Sequence, residues 1–170
     1  MISKSFYNWI KKEDRLYAKR SGSVLMIACG YFITATEEIG FLPDLPEGEW
    51  YERSGAGWLP SDGSFFERIL REPATRDMFL LDDTGAEMPV FVSVDKVNKV
   101  RVFLNHSGSN TLVSAQYFKF ITDCIGNDFL LFQGERTNDP VFFMAPDQSG
   151  PLALLMPVNS VLVKYKVVEK

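Results

Sequence analysis

The C-terminal third of the chain, residues 112–158, constrains the fold most, because its apolar residues change period twice. A short β-rich run leads into residues 114–125, where apolar side chains recur at helical spacing. Two β-rich runs, FLLFQG and PVFFMAP, come next, and a last one closes on Leu-Met-Pro-Val. A helical period and a strand period mark different elements. The segment therefore predicts a strand, an amphipathic helix and three strands, and hence an α+β fold.

The N-terminal part repeats this order in a weaker form. Apolar residues of 3–19 fall on one helix face, and the runs SVLMIA and GYFITAT follow, separated by Cys29-Gly30. We predict a helix over 3–19 and two strands joined by a tight hairpin or a bulge. A helix-then-strands unit that recurs about a hundred residues later suggests two half-repeats. Two unrelated amphipathic helices are the alternative.

The middle of the chain is less regular. Residues 40–64 are rich in Pro and Gly and hold three aromatic residues, so this stretch is either functional or contains strands that the pattern hides. Residues 64–72 predict a short helix that ends at Pro73. Two β-rich runs flank 83–86 and predict a hairpin that turns there. The alternating tail 159–170 predicts an exposed strand.

Composition sets bounds on function. A chain of 170 residues with 46% hydrophobic residues is one domain, or two small half-domains sharing a core. The net charge of -4 gives no general attraction to nucleic acid. Residues 1–20 nevertheless carry six Lys or Arg against two acids. They predict either a local basic face or a solvated helix surface.

Chemical signatures of catalysis are missing from the sequence. The single histidine, His106, lies between Asn and Ser in a polar loop, and Cys29 and Cys124 have no CxxC spacing. We expect inert buried thiols, no metal site and no cofactor. A Cys124–His106 nucleophile pair stays conceivable, although Cys124 falls on the apolar side of its helix. The chain has no signal-peptide pattern and no apolar run of the length that spans a membrane, so we expect a cytoplasmic protein without a membrane partner.

Two motifs resemble a known family. The predicted helix opens Ser114-Ala115-Gln116-Tyr117-Phe118, and the last strand closes on Met156-Pro157-Val158. This order is similar to the final subdomain of the bacterial sliding clamp, the β subunit of DNA polymerase III. Residues 62–70, DGSFFERIL, resemble the connector between clamp half-repeats. The resemblance implies a single DNA-clamp-like domain over 1–170, with helix-plus-antiparallel-sheet half-repeats at about 1–60 and 75–158 and a tail at 159–170.

The same resemblance implies two sites. In clamps, basic side chains on inner helices contact duplex DNA without sequence preference. A second surface, near the Met-Pro end, takes linear peptides from polymerases. The corresponding residues here are Lys4, Lys11, Lys12, Arg15 and Lys19 for DNA, and Leu155, Met156, Pro157 and Val158 for a peptide groove. The latter four are equally consistent with ordinary core and strand-end residues.

Several departures from the family keep the function open. A bacterial clamp subunit has three such domains and this chain has one, so a ring requires a homo-oligomer of six copies. We expect a non-enzymatic clamp-like accessory factor in DNA replication or repair. The alternative is a protein-protein interaction module with the clamp fold and no DNA binding, of a kind that a mobile element can encode. An enzyme of unknown type, acting through residues 40–64, is the third hypothesis.

Overall fold

A computed structural model describes residues 15–36, 45–55, 57–93 and 96–158. The fold is α+β, with antiparallel sheets and two α-helices in the described part of the chain. The strands are β1 (Tyr17–Ser21), β2 (Val24–Ala28), β3 (Phe32–Thr36), β4 (Trp50–Ser54), β5 (Gly57–Pro60), β6 (Phe79–Leu80), β7 (Asp82–Ser93), β8 (Lys96–Leu104), β9 (Asn110–Ser114), β10 (Leu130–Gln133), β11 (Val141–Met144) and β12 (Pro151–Leu155). The helices are α1 (Ser64–Leu70), which a 3-10 turn (Glu72–Ala74) follows, and α2 (Ala115–Ile125).

The larger sheet has a mirrored strand order. Its nine strands run β5-β4-β1-β2-β3-β12-β11-β10-β6. The meander β1-β2-β3 and the meander β10-β11-β12 meet where β3 pairs antiparallel with β12, with Ile33 opposite Leu154 and Phe32 opposite Leu155. Strand β4 lies beside β1 and strand β6 beside β10, and β5 extends the N-terminal side by one more strand. The strand order therefore has a pseudo-two-fold centre between β3 and β12.

Both faces of this sheet are buried. Neighbouring residues of the central strands belong to different apolar cores: Phe32 and Phe143 to one, Ile33 and Phe142 to the other. All four side chains have at most 1% exposure. Because successive strand residues point to opposite faces, two covered faces require consecutive apolar residues. This explains why β11 is VFFM rather than an alternating pattern.

Helix α2 and the smaller sheet, β7-β8-β9, cover one face. The Ser114 hydroxyl caps α2 by accepting from the Tyr117 amide at 3.3 Å, and Gly126, at φ 85°, ends the helix. Phe118, Phe120 and Ile121 bury the inner side of the helix. The sequence prediction of a strand, this helix and three strands over 112–158 is confirmed.

Helix α1 covers the opposite face. The Asp62 carboxylate accepts from the Ser64 amide at 3.0 Å, and Phe66 and Ile69 pack into the second core beside Trp50. The short helix predicted over 64–72 is present but ends two residues earlier, at Leu70, and Pro73 lies in the 3-10 turn that follows. No described helix is both long enough and apolar enough to cross a membrane.

Two sequence predictions were wrong in their boundaries. The helix expected over 3–19 does not reach its predicted end, because Tyr17–Ser21 is strand β1, paired with β2 and β4. Residues 1–14 lie outside the described residues. The expected hairpin turn at 83–86 is instead a bulge within β7, where the pairing with β8 shifts between Asp83 and Ala86. Gly85 adopts φ 75° there, and a glycine with positive φ serves a bulge as well as a turn.

The Pro- and Gly-rich stretch contains the hairpin β4–β5, so strands were indeed hidden there. Trp50 opens β4 at 6% exposure, and Gly55 turns the hairpin at φ 60°. Residues 37–44 and the tail 159–170 lie outside the described residues, so the predicted tail strand stays a prediction. Pro89 lies in β7, which is an edge strand of its sheet, as expected for a strand proline.

We predict that Gly63→Ala destabilises the fold by about 1–3 kcal/mol, the usual range for overpacking. A Cβ on Gly63 would lie 2.2 Å from Cγ of Trp50, which is buried and cannot move aside cheaply. Urea unfolding followed by Trp fluorescence measures the change. Gly150→Ala is the matched control, since a Cβ there meets nothing within 4 Å. Equal midpoints for the two variants would contradict this packing.

Candidate functional site

The predicted DNA-binding residues fall into three groups. Lys4, Lys11 and Lys12 lie outside the described residues. Arg15 is half exposed, donates to the Tyr17 hydroxyl at 3.0 Å and lies 3.7 Å from the Glu52 carboxylate. The hydrogen bond to Tyr17 is the main cause that raises the pKa of Arg15. Arg15 therefore stays cationic with much of its side chain in solvent.

Lys19 has a different environment from the one expected. It lies on strand β1 rather than on a helix, and its ammonium group pairs with the Glu67 carboxylate of α1. Trp50 donates its indole N–H to the same carboxylate at 2.8 Å. Lys19 thus lies on the α1 face of the sheet, opposite α2, and a structural ion pair engages it.

The Met-Pro end lies mostly inside the protein. Leu155 has 0% exposure and Met156 7%, Pro157 is also buried, and Val158 is half-buried. The Met156 amide donates to the Tyr31 carbonyl at 2.8 Å, and the Val158 amide donates to that of Leu112 at 2.8 Å. The segment attaches the end of β12 to the β2–β3 turn and to β9. In this structure, Leu155, Met156 and Pro157 are core residues.

A groove lies elsewhere, between β8 and α2. This β8–α2 groove has a volume of about 820 Å³ and receives residues from β6, β7, β8, α2 and β10. Its floor is apolar: Leu81, Phe118 and Leu131 are each at most 9% exposed, and Phe129 is partly buried. Volumes of this order are typical of ligand sites. None of the four residues of the Met-Pro end lines it.

Charged side chains form the rim of the groove. Three are basic (Lys99, Arg101, Lys119) and two are acidic (Asp83, Glu87). The Arg101 guanidinium lies 4.4 Å from the Phe118 ring centroid and donates to the Asp83 carboxylate at 2.7 Å. This stacked ion pair joins the β7–β8 hairpin to α2. Lys119 pairs with Asp123, one helical turn further along α2, at 3.1 Å.

The residues that could have supplied catalysis are not brought together. His106 stacks on Phe79 with ring centroids 4.0 Å apart, whereas the Cys124 thiol lies beside Thr34 and Thr36 of β3. Burial raises the pKa of the Cys124 thiol to about 12, which disfavours the reactive thiolate. In the described part of the chain, no three His, Cys, Asp or Glu side chains are grouped as metal ligands.

A buried amide network escaped prediction from the sequence. The Gln133 side-chain carbonyl accepts from Asn105 at 2.5 Å and from Thr111 at 2.7 Å, while its amide donates to the carbonyl oxygens of Thr137 and Asp139. Every buried polar atom of Gln133 has a partner, so the network stabilises two loops and offers no binding group. Sequence alone does not separate Gln133 from a surface glutamine, because its partners Asn105 and Thr111 lie 28 and 22 residues away in the chain.

Comparison of the chain with models of protein families, with curated proteins and with solved structures finds no match.

We predict that Glu67→Gln reduces the acid sensitivity of folding. Hydrogen bonds from Lys19 and then from Trp50 lower the pKa of Glu67, so its contribution is present above the ordinary Glu pKa of about 4.3 and is lost as the pH falls through the folded-state value. Urea midpoints between pH 7 and pH 3 should fall less steeply in the variant. At neutral pH the loss should be below about 1 kcal/mol, as for partly exposed pairs.

Glu72→Gln is the charge-matched control, because it removes a more exposed ion pair, with Arg76. A Glu67→Gln profile that runs parallel to the wild-type profile would show that the carboxylate does not couple α1 to β1.

Proposed function

We propose that this chain is a non-enzymatic sliding-clamp-like protein that acts as a DNA-associated accessory factor in replication or repair. The observation that carries the proposal is the mirrored strand order around β3 and β12. A clamp domain consists of two half-repeats, each a helix with an antiparallel sheet, and such a pair joined edge to edge produces a mirrored order. Helix α2 with β10-β11-β12 is one such unit, and β1-β2-β3 is the sheet of the other.

The connector supports the same proposal. Residues 62–70 resemble the clamp connector in sequence, and α1 lies on the sheet face opposite α2. A connector on the outer face leaves the helix face open for DNA. Of the predicted DNA-binding residues, Arg15 is accessible and joins Lys4, Lys11 and Lys12 in the proposal. Lys19 is engaged by Glu67, and this ion pair excludes it from the proposed surface. Its position on the sheet does not, since Tyr17, the partner of Arg15, also packs on α1.

We predict weak, salt-sensitive binding to duplex DNA that the triple variant Lys11→Glu, Lys12→Glu, Arg15→Glu abolishes. Removing one phosphate contact should reduce the slope of log affinity against log salt by about 1. Fluorescence anisotropy with labelled duplexes of unrelated sequence measures the slope. Arg136→Glu is the control, since this side chain is 80% exposed and lies in the loop after β10.

If the wild-type protein shows no salt-dependent binding to duplex DNA, the DNA-binding part of the proposal is wrong. That result would select the alternative, an interaction module with the same fold, which the net charge of -4 and the engagement of Lys19 favour.

We further predict a homo-oligomer that depends on the edges of the large sheet. Its outer strands, β5 and β6, expose Leu59 at 58% and Leu80 at 53%. Edge strands pair readily with other chains, and pairing of β5 with β6 of the next copy would close a ring. Sedimentation velocity should show a species larger than a monomer, and Leu59→Lys should shift it toward monomer. A wild-type monomer at all concentrations would exclude a ring.

A further inference from the structure

We propose that the β8–α2 groove binds a small, uncharged aromatic molecule whose ring edge carries a hydrogen-bond donor and an acceptor. This binding site goes beyond the proposed function, because it requires neither DNA binding nor an assembly of several copies. The size of the groove, its stacking partners, its balanced charges and its amide side chains support the proposal.

The groove has the size of a site for a small molecule. Its volume of about 820 Å³ lies within the range of roughly 300–1,000 Å³ that is usual for such sites. Leu81, Phe118 and Leu131 are each at most 9% exposed and form the apolar base. An apolar base with polar groups around it is typical of pockets that hold an organic molecule.

Two lining residues favour a flat ring over an aliphatic chain. Phe129 is half-buried, and its ring centroid lies 5.0 Å from that of Phe143. Arg101 places its guanidinium 4.4 Å from the Phe118 ring centroid and keeps 26% of its side chain exposed. Aromatic rings stack on other rings and on guanidinium groups, whereas an aliphatic chain gains neither interaction. We therefore expect an aromatic ligand.

Two basic side chains of the rim are already neutralised. The Arg101 guanidinium donates to the Asp83 carboxylate at 2.7 Å. Lys119 pairs with Asp123 at 3.1 Å. An anionic ligand would compete with these carboxylates for the same cations, so it gains little from either one.

The last two charged side chains of the rim, Lys99 and Glu87, have opposite signs. Glu87 lies opposite Arg101 in the β7–β8 register, and Lys99 precedes Arg101 by two residues. Lys99 and Glu87 are therefore diagonal neighbours on one face of the hairpin, within reach of each other. The rim carries no net charge once Asp123 is included, and an uncharged ligand keeps this balance.

Two amide side chains can bind the edge of a ring. Gln116, in the first turn of α2, and Asn127, just after the helix, both line the groove and are exposed. The hydroxyls of Ser114 and Thr122, which also line it, are bonded to backbone groups of the same helix. An amide offers a donor and an acceptor together, which matches the N–H and C=O of a lactam.

The test compares four probes that share one bicyclic frame. Quinolin-2-one is flat and uncharged and has a lactam edge, and decahydroquinolin-2-one keeps the lactam without the aromatic ring. Quinoline-2-carboxylate is an anion, and quinolin-2-ylmethanamine is a cation. Quinolin-2-one should bind the full-length protein at least about fivefold more tightly than each of the others, as for loss of one stacking contact. NMR titration of isotope-labelled protein measures the affinities.

A variant that fills the groove tests the location. Gln116→Trp should weaken quinolin-2-one binding at least about fivefold, because a bulky side chain then occupies the lining of the groove. Ala74→Trp is the matched control, since Ala74 is exposed in the 3-10 turn and does not line the groove. The control should bind within about twofold of the wild type, and urea midpoints should show that both variants are folded.

The proposal is overturned if none of the probes binds, or if the saturated lactam or a charged probe binds as tightly as quinolin-2-one. Equal binding by Gln116→Trp and Ala74→Trp would also overturn it. Displacement of quinolin-2-one by duplex DNA would assign the groove to nucleic acid instead. The DNA-binding prediction has its own measurement, the salt dependence of anisotropy, so either hypothesis can fail without the other.

Discussion

The antiparallel contact between β3 and β12 is the interaction on which the rest of the structure depends. It joins strands from opposite ends of the chain through Phe32, Ile33, Leu154 and Leu155, all with 0% exposure. Phe32 and Leu155 belong to one core, and Ile33 and Leu154 to the other. Loss of this contact would separate the two meanders and open both faces of the sheet, so the two cores are coupled through one strand pair.

The α1 face shows how packing limits function. Trp50 lies against Gly63, and its indole nitrogen donates to Glu67, which also holds Lys19. Trp50 thus orients the Glu67 carboxylate, and this carboxylate engages Lys19 in an ion pair. The number of basic residues in 1–20 therefore overstates the positive charge that is free to meet a partner, because Lys19 pairs with Glu67 of α1.

The β8–α2 groove arises from the meeting of the two sheets. Strand β7 is an outer strand of the smaller sheet, and its residues 82–89 are exposed. Arg101 holds the β7–β8 hairpin over α2 through Phe118 and Asp83. The groove therefore combines an apolar floor with a charged rim, in which Arg101 pairs with Asp83 and Lys119 with Asp123.

The sequence by itself determined the elements whose signals are local. Ser114 and Gly126 bound α2 by capping, Pro73 lies just beyond the end of α1, and the short apolar runs of β10 and β11 favour strands. Prediction from the sequence failed where one local pattern is compatible with two structures. The glycine pattern at 83–86 suits a turn and a bulge equally, and the apolar spacing before Ser21 continued a helix into β1.

Tertiary structure alone decided which strands are neighbours and which polar residues are engaged. The pairing of β3 with β12, the ion pair of Lys19 with Glu67 and the buried hydrogen bonds of Gln133 all join residues far apart in sequence. The groove residues from Leu80 to Leu131 likewise form a site only once both sheets have packed on α2. Local periodicity indicates which face of a helix or strand is buried, but not which element packs against that face. The element that packs there determines whether a side chain stabilises the fold or stays accessible to a ligand.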